Sequence, residues 1–123
     1  MPVALRDEAS LPDKACVVRG GMMMARDLAM ASERCQAVLG FPGISVFAAP
    51  TTSLRSVLLV APQLRVYTVV RRTTARALRK FGAELLPTGA SPHFTLRLPD
   101  VEFATLARLR DLFGPPIPNP LAR

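Results

Sequence analysis

The chain has 123 residues, 50% of them hydrophobic, and carries 16 basic against 9 acidic residues for a net charge of +7. That size fits one domain, and the apolar content excludes a chain disordered throughout and removes any need for a disulfide or metal to hold the core. The longest apolar runs, Ile44 to Pro50 and Val57 to Pro62, fall far short of the ~20 residues a bilayer span requires, so no membrane segment is expected.

Residues 1–14 mix charges with Pro2 and Pro12 without any period and read as a flexible or extended lead-in. Arg6, Asp7, Glu8, Asp13 and Lys14 interrupt the place where the apolar stretch of a signal peptide would lie, and a cytoplasmic protein is expected. The domain proper is expected over 15–114. Ala15 to Arg19 reads as a short strand stopped by Gly20-Gly21. A helical period then runs from Met23 to Leu39, with Met24, Leu28, Ala31, Cys35, Val38 and Leu39 on one face and Gly40 at the C-cap.

Phe41-Pro42-Gly43 is a turn before a buried strand, Ile44 to Ala48, and Thr51 or Thr52 is placed to cap a short helix that Pro62 stops. Arg65 to Val70 has the strongest β-propensity of the chain, and Thr73 or Thr74 opens a helix ending near Gly82. Glu84 to Pro87 and His93 to Leu98 read as two strands joined by a turn. Asp100 is positioned to cap a last helix, Val101 to Phe113, and the proline-rich tail 115–123 is expected to run in a polyproline-like path. The order βαβαβαββα gives an α+β fold: an open mixed sheet of about five short strands packed with about four helices.

Cys16 and Cys35 lie 19 positions apart with no histidine beside them, and His93 is the only histidine, so no metal site and no cofactor are expected, and both cysteines read as small buried hydrophobes. The charge is more informative. Positions 34–83 contain no Asp or Glu and hold Arg34, Arg55, Arg65, Arg71, Arg72, Arg76, Arg79 and Lys80. On a helix Arg72, Arg76 and Arg79 fall within about 60° of one another, opposite Leu78, Phe81 and Leu85. With Arg71 and Lys80 they form a candidate polyanion-binding front for nucleic acid or an acidic protein partner. An arginine-rich composition drawn from a GC-rich genome offers the plainer explanation of part of this charge.

Strand alternation sets His93, Thr95 and Arg97 on one face, and hairpin pairing would bring Glu84 near Arg97. A base, an acid and a cation for phosphate are what metal-free cleavage of RNA requires, which makes His93, Glu84, Arg97 and Thr95 the candidate catalytic group. A small basic protein acting on RNA or nucleotides, the toxin-like half of a pair neutralised by an acidic partner, is one reading; a binding module without catalysis is the alternative. Finally, Val18-Arg19-Gly20-Gly21 before a helix suits a phosphate, although neither G-x-G-x-x-G nor a P-loop is present. A strand-borne arginine before glycine resembles the opening of the sheet in ADP-ribosyl-transferring enzymes, which implies a serine on a later strand and a glutamate beyond. Arg19, Ser45 and either Glu84 or Glu102 could be fitted to that scheme, with Arg19 and Ser45 as an alternative nucleotide site.

Overall fold

The structure, a computed structural model, describes residues 5–123. One six-stranded sheet organises them. The strands are β1 (Cys16–Gly20), β2 (Gly43–Ala49), β3 (Val69–Thr74), β4 (Glu84–Pro87), β5 (His93–Arg97) and β6 (Ile117–Pro118), in the order β4-β5-β2-β1-β3-β6. Four helices accompany them: α1 (Ala25–Leu39), α2 (Leu54–Val60), α3 (Ala75–Phe81) and α4 (Phe103–Leu112). The α+β class is as the sequence suggests. Every ladder is antiparallel, and the sixth strand comes from the proline-rich tail, where Ile117 and Pro118 pair with Val70 and Val69.

Alternation along the strands splits the apolar residues between two faces. Val17, Ile44, Val46, Leu85, Phe94 and Leu96 point to one side, where Leu28 of α1, Leu78 of α3 and Leu106 and Leu109 of α4 complete the larger core. Cys16, Val18 and Val70 point to the other, under Val57 and Leu58 of α2 and Leu64. The second cover is partial. It lies over β1, β3 and the end of β2 at Phe47 and Ala49, and leaves Ser45, His93, Thr95 and Arg97 of β2 and β5 outside the second core.

Caps fix several boundaries. Thr74 accepts from the Ala77 N–H at the start of α3, and Gly40 and Gly82 close α1 and α3 with left-handed φ values of 85° and 98°. Ser53, one residue beyond the expected threonines, caps α2 by accepting from Ser56 N–H. Asp100 accepts from Glu102 N–H, but the helix itself begins at Phe103. The segment 65–70 departs from its propensity. Pro62 opens a 3-10 helix (Pro62–Val66) that buries Leu64 against the second core, so extended structure resumes only at Val69. Strand β3 then runs to Thr74 because it pairs residue by residue with β1, from Val70 opposite Gly20 to Thr74 opposite Cys16. Burial of one leucine outweighs local preference here.

The lead-in is also more ordered than its composition suggests over the described positions. Glu8 N–H donates to the Leu85 carbonyl, Leu85 N–H donates to Asp7, and Arg79 bridges Asp7, Asp13 and the Glu8 carbonyl.

Candidate functional site

Strands β1 and β2 pair only from Cys16 to Val18, whereas β1 and β3 stay paired through Gly20. Arg19 lies where the first ladder has ended, and its Nη1 donates to the Ser45 carbonyl at 2.7 Å. The guanidinium thus bridges the two diverging strands. Burial lowers its pKa, with Tyr67 and Asp27 acting the other way, and it stays a cation at neutral pH.

Above this bridge opens a cleft of about 490 Å³ whose lining includes Arg19, Arg34, Ser45, Tyr67, His93 and Thr95. Two glycines shape it. A Cβ on Gly20 would stand 2.1 Å from the Tyr67 ring, so the tyrosine lies directly on the backbone of β1 beside Arg19. A Cβ on Gly43 would stand 2.9 Å from the Leu96 carbonyl and 3.1 Å from Cys35 Sγ, where α1 meets the start of β2. Burial pushes the Cys35 thiol up, so it remains protonated at the cleft wall.

His93 is held in one orientation. Its Nδ1 lies 2.7 Å from the Thr88 carbonyl, which can only accept, so Nδ1 donates, and the neutral ring has its lone pair on Nε2. The Thr88 hydroxyl sits 3.1 Å from Nδ1 and 2.7 Å from the Thr95 hydroxyl, and Phe47 meets the imidazole edge-on at 5.4 Å. A histidine fixed through one ring nitrogen with the other unoccupied is suited to proton transfer.

The expected catalytic group divides in two. Glu84 does pair opposite Arg97, with 3.8 Å between Nε and Oε1, and both side chains are about half-exposed. They sit four residues from His93 along β5, about 13 Å away at the rise of a strand. Neither lines the cleft, so the hairpin joins His93 to Thr95 but does not bring the carboxylate and Arg97 to them. Register predicted the ion pair correctly; what the pattern did not measure was its distance from the imidazole.

The candidate arginine front is also redistributed, because Arg71 and Arg72 belong to β3 and point to opposite faces. Arg71 is 5% exposed and donates to the carbonyls of Gly114, Met22 and Arg110. It clamps the turn after Gly20-Gly21, in which Met23 holds a positive φ of 57°, to the end of α4. Burial lowers the Arg71 pKa, with Arg110 reinforcing the effect. Arg79 is held by Asp7 and Asp13. Arg72, Arg76 and Lys80 are left exposed, with no ion pair among the described residues.

For the nucleotide site, the structure brings Arg19 and Ser45 together, through the serine main chain rather than its hydroxyl. No glutamate joins them: Glu84 is with Arg97, and Glu102 is exposed at the N-cap of α4. In the sequence Arg34 counts only among the cations of the acid-free stretch and Tyr67 only within an expected strand, with no sign that either lines a cleft. Among the described residues no cluster of three or more His, Cys, Asp or Glu could hold a metal, and no helix is long and apolar enough to cross a membrane. No family model matches the chain, and none of the curated proteins or solved structures compared with it does.

Proposed function

We propose that this chain binds a nucleotide, and that the ligand is of the ADP-ribose or nicotinamide-dinucleotide kind, laid in the cleft over Ser45 and Thr95. One observation carries the reading: Arg19 and Ser45, drawn from two strands, meet at an open cleft that also gathers a second arginine, an exposed aromatic ring and a fixed histidine. A volume of about 490 Å³ lies within the range of small-molecule sites. Arg19 and Arg34 suit a pyrophosphate through charge-assisted hydrogen bonds, and the Tyr67 face suits a flat base. The exposed hydroxyl of Ser45 suits ribose.

Transfer of ADP-ribose by the scheme that the strand arginine suggests requires a carboxylate, and none lines the cleft. His93, with Nε2 free, is the group available for proton transfer to or from a bound ligand. This favours a nucleotide over RNA as the ligand, since the Glu84 and Arg97 pair that RNA cleavage would recruit is distant. The alternative of polyanion docking retains only Arg72 of β3 with Arg76 and Lys80 of α3.

The test is calorimetric titration with ADP-ribose, NAD, ADP and a single-stranded RNA. Binding of ADP-ribose or NAD that is lost in Arg19→Ala supports the proposal. RNA binding without dinucleotide binding, or no binding of any of the four, overturns it.

A further inference from the structure

The mouth of the cleft has a character that a nucleotide does not require. On one bank, at the C-terminal end of α1, Val38 is 77% exposed and Leu39 stands beside it. On the other, Val66 is 75% exposed and Tyr67 43%, at the end of the 3-10 helix. Val38, Leu39 and Tyr67 all line the cleft, and Val66 precedes Tyr67 in the chain. Large apolar residues exposed at this level around a concave site mark an interaction surface. The charged groups there are cationic: Arg19 and Arg34 line the cleft, Arg65 adjoins Val66, and no acid is among the lining residues.

We propose that the cleft mouth docks a segment of a partner protein that combines acidic with apolar side chains, and that this segment closes the cleft. Charge complementarity selects the occupant. A second copy of the chain would set like charges against each other, because the whole net charge of +7 derives from the acid-free stretch 34–83 that carries much of this surface. Nucleic acid would meet the arginines but leave Val38, Leu39 and Val66 without apolar partners. A peptide with carboxylates over Arg19 and Arg34 and apolar side chains on the two banks satisfies both. Such a segment and a nucleotide would occupy the same space, so docking regulates access to the site.

This inference uses the rim and its charge, and it is read separately from nucleotide binding. Random linear peptides displayed on phage are selected on the full chain, and the affinities of the enriched peptides are measured by fluorescence anisotropy. The expected result is an enriched pool that is both acidic and apolar. Its affinity should fall about tenfold in Val38→Ser/Val66→Ser and again in Arg34→Glu, with thermal melting to show that both variants remain folded. No enrichment, an enriched pool that is not acidic, or affinities untouched by the substitutions would sink the proposal. So would a single-stranded RNA that outcompetes the peptides and ignores the valine changes. ADP-ribose binding measured on the same samples shows which of the two proposals fails, since either result can occur without the other.

Discussion

Arg19 on β1 donates to the main-chain carbonyl of Ser45 on β2 at the point where the ladder between their strands stops. A side chain thus completes a contact that backbone makes elsewhere in the sheet, and in doing so it sets a cation at the floor of a cleft. Arg19→Ala should lower nucleotide affinity about ten- to a hundredfold, the worth of a hydrogen bond to a charged group. Arg19→Lys should recover little, because an ammonium is not the planar fork that reaches both the carbonyl and a ligand. Calorimetry on both variants decides this; equal affinity in Arg19→Ala would remove the arginine from the site.

Gly20→Ala should displace Tyr67, since the added carbon falls inside the ring's contact distance. The expected outcome is weakened nucleotide binding in the single variant. A Gly20→Ala/Tyr67→Ala pair should then show the binding loss of Tyr67→Ala alone, not the sum of two losses. Additive losses would mean that glycine acts through something other than the tyrosine.

Replacing Arg71 by methionine leaves three carbonyls without their donor, and at about 1 kcal/mol or more for each bond the loss should be roughly 2–4 kcal/mol of stability. Urea unfolding measures it. A midpoint unchanged from wild type would show that solvent replaces the guanidinium.

These three predictions differ in how far the sequence foretold them. Arg19 before Gly20-Gly21 was visible as a candidate because a strand, two glycines and a helix follow one another in eight or so residues. Arg71 looked like part of a cationic front, and its burial was hidden because nothing local shows that the carbonyls of Met22, Arg110 and Gly114 converge on it. The Glu84 and Arg97 register followed from alternation and turn length alone. Tyr67 was placed inside a strand, since the burial that bends 62–66 into a 3-10 helix is a tertiary effect. Local pattern reports neighbours along a strand well, and contacts across sequence distances of 40 or more poorly.

His93 offers a spectroscopic check. Nitrogen NMR at neutral pH should show the proton on Nδ1, because the Thr88 carbonyl accepts from it. Predominance of the Nε2-protonated form would contradict the proton-transfer role assigned to that nitrogen.

Acid sensitivity should centre partly on the start of α4. The Thr105 hydroxyl and then the Glu102 N–H hold the Asp100 carboxyl below its ordinary value. A carboxyl with a lowered folded-state pKa contributes stability above its unfolded value, and that contribution fades as pH falls through the folded one. Asp100→Ala should therefore unfold at lower urea than wild type near neutrality, and the two midpoints should converge below about pH 4. A gap that persists in acid would assign the effect to something other than the charge.

The two ends of the sheet have a consequence of their own. At one end Leu85 of β4 gives its N–H to Asp7 and its carbonyl to Glu8, and Pro87 has no N–H to offer. At the other, the outermost strand is two residues long and contains Pro118. Proteins protect such borders to prevent another chain from extending the sheet. A partner therefore gains no purchase by adding a strand, and edge-to-edge aggregation is blocked at both borders, which leaves side-chain recognition at an open face as the means of association.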